Sequence, residues 1–304
     1  SSNVSTTNWA HAILAGVSQV YFNEVNLNIT IVTTIVWETT DPYASYISDA
    51  SNMLGALRNH WTSNNGSISR DLVHLMTKRN NTGTGGIAYL DVLCSNSWGY
   101  AFSSALNNTT NFNFPNPSYT WNLMVCSHEI GHNIESHHTH WCGWPGGPID
   151  NCVDVEGSCE NNPTPQVGTI MSYCHTTSSG SLIDFHSIVV NNALTPGING
   201  ASCLTTCTFY GCTDANATNY DINATINHPF VTSCQSYPSS CRCSRVTIVV
   251  VLNIQQIYNC HCCCIRGAVS RLFVFVLVLV ACCCVSSNIF YSFILQPNAN
   301  RYKI

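Results

Sequence analysis

Apolar residues recur at helical spacing over residues 8–22, where Trp9, Ile13, Leu14, Val17, Val20 and Tyr21 share a face. The run at 26–37, Asn-Leu-Asn-Ile-Thr-Ile-Val-Thr-Thr-Ile-Val-Trp, alternates and is rich in β-branched residues, which predicts a strand. Asp41-Pro42 marks a turn. Helical spacing returns over 46–62, with Ile47, Met53, Leu54, Leu57 and Trp61 inward. Residues 71–77 read as a second strand, and His74 within it as a packed core histidine rather than a ligand. A Gly-rich turn at 83–86 leads into Ile87-Ala88-Tyr89-Leu90. Residues 101–120, rich in Asn, Phe and Pro, read as loop, and 121–134 as a helix. Residues 141–168 carry Gly, Pro and three cysteines with no period, an irregular segment for disulfides to hold. A final helix is expected over 182–194, with Phe185 and His186 as candidates for a pocket wall or for packing.

These elements give an α+β fold for residues 1–196. Composition shifts at Pro196-Gly197. Residues 197–243 are Cys-, Thr- and Asn-rich, too polar for a large core, and resemble a small Cys-containing extension module. Asp214, Asn219 and Asp221 there offer oxygen to calcium, although turn formation explains them as well. Residues 244–304 form a third, Cys-rich and apolar segment. Its part 272–295 gives about 24 uncharged residues, enough to span a membrane. Arg266 and Arg271 before it and Arg301 and Lys303 after it leave its orientation open. The competing reading is that residues after 243 are a misread frame.

Charge and cysteines narrow the function. The net charge is −5, with 8% charged residues and no basic patch, which argues against a nucleic-acid partner. Of the 19 cysteines, six lie within 94–174 and six within 203–243, two even sets that read as disulfides of an oxidising compartment. Eight Asn-x-Ser/Thr sequons, from Asn3 to Asn223, fit a secreted glycoprotein, although a chain this rich in Asn, Ser and Thr also makes such triplets by chance. The absence of an initiator Met reads as a fragment or a processed chain, with any leader before Ser1.

The chemistry sits at His128-Glu129-Ile130-Gly131-His132. Residues four apart share a helix face, so His128 and His132 can aim two imidazoles at one metal, and Glu129 stands beside them as a base. His138 follows at the spacing of a third ligand. His137 and His140 read as surface or supporting residues. Downstream lies Gly168-Thr169-Ile170-Met171-Ser172-Tyr173-Cys174.

With that turn in place, residues 8–195 resemble the metzincin zinc peptidases, most closely the reprolysin (adamalysin-like) branch. The resemblance implies a mixed, mostly parallel twisted sheet with an active-site helix. It implies Zn2+ on His128, His132 and His138, Glu129 as catalytic base, and Met171 as the Met-turn beneath the metal. It also implies an edge strand, Gly86, Ile87, Ala88, Tyr89 and Leu90, that pairs with a polypeptide substrate. Tyr173 matches a transition-state helper found in astacins and serralysins but generally not in adamalysins. The chain departs from the family at Glu135, where a Gly ends the helix and turns the chain back toward the third His. The function implied is an extracellular zinc endopeptidase, secreted or anchored through 272–295. The alternative is a metzincin-fold zinc-binding or adhesion protein with impaired catalysis, which Glu135 favours.

Overall fold

Helix α1 (Asn3–Val25) extends the expected amphipathic segment at both ends and buries Ile13, Leu14, Val17, Val20 and Tyr21. Asn26, at φ 53°, makes the reversal into β1 (Leu27–Trp37), a conformation Asn tolerates better than most residues. Helix α2 (Ala50–Asn64) starts later than its period suggests, because the Asp49 carboxylate caps it by accepting from Asn52 N at 3.1 Å. It buries Met53, Leu54, Leu57 and Trp61. β2 (Leu72–Thr77) is buried throughout, with His74 Nε2 2.9 Å from Ser103 Oγ. Burial lowers the His74 pKa to about 3, so this core imidazole is neutral. β3 (Gly86–Ala88) and β4 (Tyr100–Ser103) follow. Residues 101–103, expected as loop, belong to β4, a strand too short for alternation to register. Helix α3 (Trp121–Ile134) occupies the expected residues, capped by Thr120.

The computed structural model describes residues 3–46, 48–160, 167–206, 210–211, 226–227 and 244–253. Short strands β5 (Thr205–Thr206), β6 (Tyr210–Gly211) and β7 (Ile226–Asn227) precede β8 (Ser244–Asn253). The main sheet runs β1-β8-β2-β4-β3, with β5 beside β8. β8 is parallel to both β1 and β2, and β4 is parallel to β2; only β3, at the edge, and β5 run antiparallel. Taking residues 244–304 together as an apolar tail therefore needs correction: the first ten complete the sheet. Arg245-Val-Thr-Ile-Val-Val-Val-Leu is β-branched and apolar on both faces, the composition of a central parallel strand. Val246, Ile248, Val250 and Leu252 join the core under α1 and α3, while Val249 and Val251 join the core under α2.

Among the described residues the cysteines form disulfides as expected, but not within two separate even sets. Cys94 bonds Cys203, Cys142 bonds Cys159 and Cys152 bonds Cys174, leaving Cys126 unpaired and buried in α3. The last helical segment runs through α4 (Ser187–Val189), a π-helical stretch (Val190–Leu194) and α5 (Thr195–Gly200). It starts at 187 rather than 182 because His186 caps it, accepting from Ile188 N at 3.2 Å, and it continues through Pro196. The calcium candidates Asp214, Asn219 and Asp221, most of 197–243, and all of 272–295 lie outside the described residues. Among the described residues no helix is long and apolar enough to cross a membrane.

Candidate metal centre

His128 and His132 are four residues apart on α3, so one helical turn brings their rings together, with centroids 4.7 Å apart. The helix ends at Glu135, and the chain returns through Ser136 and His137 to bring in His138. Glu135 has φ 158° and ψ −10°, a positive φ whose ψ is far from that of extended backbone, so a residue with a Cβ is strained here where glycine would not be. Two hydrogen bonds hold the turn in this conformation, with Glu135 N and Ser136 N both donating to Gly131 O at 3.2 and 2.9 Å. The carbonyls at the helix end are satisfied by the loop beneath β3. Asp91 N donates to His132 O at 3.0 Å, and Val92 N and Leu93 N donate to Asn133 O at 2.9 Å each. Trp144 Nε1 donates to His138 O at 2.7 Å and holds the return loop down.

The three Nε2 atoms converge. His132 Nε2 lies 3.1 Å from both His128 Nε2 and His138 Nε2. These are not hydrogen bonds, because each ring spends its proton at Nδ1. His128 Nδ1 is 2.7 Å from Ile170 O, His132 Nδ1 is 2.6 Å from Ser136 O, and His138 Nδ1 is 2.6 Å from Glu156 Oε1. Three lone pairs therefore face one point. Three nitrogens about 2.0–2.1 Å from a tetrahedral ion sit roughly 3.3–3.4 Å apart, close to what the triad shows. Burial, then the neighbouring imidazoles, lowers the His128 pKa well below its ordinary value and the His132 pKa to about 3. Burial also lowers His138, against the pull of Glu156. All three are neutral near pH 7, as ligands must be, so this donor set fits a zinc ion.

Glu129 points from α3 toward the edge strand. Its carboxyl group is buried, and Oε2 has no hydrogen-bond partner. Burial raises its pKa well above the ordinary value. Gly86 makes room for it, since a Cβ there would fall 2.7 Å from Glu129 Cδ. Met171 is fully buried, with its Sδ against Gly131, where a Cβ would fall 2.7 Å away. Met171 O accepts from Thr139 N at 3.0 Å, which ties this turn to the loop that carries His138. Tyr173 Oη lies 3.0 Å from His138 Nε2, and its ring stacks on His128 at 5.8 Å. Burial, reinforced by Glu129 and Glu156, pushes its pKa up to about 12, so it remains a hydroxyl donor.

Two cavities flank the triad. One, of about 220 Å³, lies between Gly85, Trp121, Met124, Val125, His175 and Thr176, with His128 and Glu129 at its mouth. The other, of about 420 Å³, runs along Gly86, Ile87, Ala88 and Leu90 to His132, His137 and His138. The expected edge strand is shorter than its sequence suggested. The strand ends at Ala88, Tyr89 N makes one more bond to Tyr100 O at 3.2 Å, and Tyr89 O is taken by Asn133 Nδ2 at 2.8 Å, while Leu90 lines the cleft. Phe185 and His186 line neither cavity: Phe185 packs on Tyr21 at 5.2 Å, and His186 caps α4. His137 stacks on Trp141 at 3.8 Å and is not a ligand of the triad. Sequence reasoning missed Glu156, since no spacing links it to the histidines, and missed Trp121 and His175 as cavity walls.

A helix carrying two imidazoles, a return loop carrying a third, and a mostly parallel sheet with an antiparallel edge make a site that could hold a metal ion. Residues 1–182 match the Reprolysin_5 family model, described as metallo-peptidase family M12, and the chain belongs to that family. A search of curated proteins finds no match.

Proposed function

We propose that the protein is a zinc-dependent endopeptidase that binds extended polypeptide along Gly86–Ala88 and cleaves it beside Glu129. The observation that carries this reading is the convergence of three neutral Nε2 atoms within 3.1 Å contacts beside a buried, unpartnered carboxylate oxygen. His128, His132 and His138 would hold the ion. Zinc, when bound, polarises a carbonyl and acidifies water. Glu129 takes the proton from the attacking water and delivers it to the departing amine, the role its position between triad and edge strand suits. The Tyr173 hydroxyl donates to the oxygen that gains charge as the carbonyl is attacked. The 220 Å³ cavity, walled by Trp121, Met124 and Val125, accepts an apolar side chain. The disulfides support an extracellular setting.

The test is metal content together with hydrolysis of an unfolded polypeptide. One zinc per chain is expected, with cleavage lost to a chelator and restored by zinc; cleavage indifferent to chelation sinks the reading. Tyr173→Phe is expected to lower kcat about 10²-fold with KM nearly unchanged, and an unaltered kcat would remove the hydroxyl from catalysis. Gly86→Ala forces the Glu129 carboxylate aside and is expected to lower kcat with zinc content intact, which metal analysis beside steady-state kinetics checks.

A further inference from the structure

Each imidazole of the triad is fixed from behind at Nδ1, but the third is fixed differently. Backbone carbonyls serve His128 and His132, whereas a carboxylate serves His138. Glu156 Oε1 lies 2.6 Å from His138 Nδ1 and 3.3 Å from His140 Nε2, so one oxygen ties together two rings stacked 4.9 Å apart at 8°. The backbone holds that carboxylate in turn. Glu156 N donates to His140 O at 2.9 Å, Glu156 O accepts from Cys142 N at 2.9 Å, and the Cys142–Cys159 disulfide closes the loop behind them. Gly157 follows at φ 117°, and a Cβ there would meet Cys142 Cβ at 2.9 Å, so the turn that delivers Glu156 needs glycine.

We propose that Glu156, braced by His140, is the positioning residue of the third metal ligand. Its carboxylate holds His138 as the Nδ1–H tautomer, turns Nε2 toward the ion and makes that nitrogen a stronger donor. His138 has the greatest need of such a brace. His128 and His132 ride on a helix, whereas His138 sits in an irregular loop beyond a helix end without the glycine turn. This inference rests on the zinc reading of the triad.

The experiment compares the zinc dissociation constant, by chelator competition, and the visible absorption of the Co2+-loaded protein for the full chain, Glu156→Ala and Glu156→Gln. Glu156→Ala is expected to weaken zinc about 10–100-fold and to alter the cobalt spectrum. Glu156→Gln keeps an acceptor but loses the charge, and is expected to weaken zinc roughly 3–10-fold with the cobalt spectrum nearly restored. Zinc affinity and cobalt spectrum unchanged in both variants overturn the proposal, even if the variants melt earlier. If Glu156→Ala does not fold, Glu156→Gln alone decides: weaker zinc supports the proposal and equal affinity overturns it. An unmodified chain that binds neither zinc nor cobalt overturns the triad reading itself, and this inference with it.

Discussion

Glu129→Gln is expected to keep zinc and lose hydrolysis, with kcat falling on the order of 10³–10⁴-fold, within the range for removing a positioned general base. Gln has the shape of Glu and fits beneath Gly86 as Glu129 does, and the three ligating nitrogens lie on other residues. What disappears is a group that can take a proton. The same substitution has a second effect of opposite sign. Burial raises the folded-state pKa of Glu129 above its ordinary 4.5, so the metal-free fold holds a proton that the unfolded chain has released. A raised folded pKa means stability that is complete below the unfolded pKa and is lost as pH rises toward the folded one. Glu129→Gln removes that loss. The metal-free variant should therefore melt above the metal-free parent at pH 8, with the gap narrowing toward pH 4. Melting curves of chelated protein at the two pH values check this; a gap that widens on acidification is incompatible with the buried, protonated carboxyl. Metal content with kcat checks the first effect, and a fully active Glu129→Gln removes the base from the mechanism.

Much of this centre is legible along the chain because its imidazoles are local. His128 and His132 are one helical turn apart, and His138 lies only six residues on, so a helix and a turn suffice to place them. Met171 and Tyr173 follow from a short turn. What supports these residues comes from elsewhere. The proton acceptors behind the rings are Ile170 O, Ser136 O and Glu156 Oε1; two of these are backbone atoms that carry no residue signature. Glu156 is brought in by backbone pairing with His140 and Cys142, through a segment without period. Glu135 is legible in the other direction: a departure from glycine reads as strain in sequence, and the structure ends the helix at a positive φ that a residue with a Cβ rarely adopts. The disulfides could not be read from spacing either, and Cys94 reaches 109 residues to Cys203. Strand β8 is the largest such case. Its run of Val and Ile is read in sequence as part of an apolar tail, and only its partners, β1 and β2, show it to be a strand.

A chain ending at residue 243 is therefore expected not to fold, although it retains every imidazole of the triad and the whole of the matched residues 1–182. β8 is central rather than peripheral: it lies between β1 and β2, and its removal leaves β1 without a strand partner in the sheet. Val246, Ile248, Val249, Val250, Val251 and Leu252 are each no more than 1% exposed. Full burial of such side chains stabilises by about 1.5–3 kcal/mol each, so the set contributes roughly 9–18 kcal/mol before the cost of ordering the strand. That matches or exceeds the ~5–15 kcal/mol by which domains are stable at all. Point changes should divide by face: Val250→Asp buries a carboxylate under α1 and α3, Val249→Asp buries one under α2, and both should abolish cooperative melting. Circular dichroism melts and size-exclusion chromatography of the chain ending at 243 check the main expectation. A monodisperse monomer with a cooperative transition and one bound zinc would show that the sheet closes without β8, and that residues 244–253 are dispensable to the metal centre.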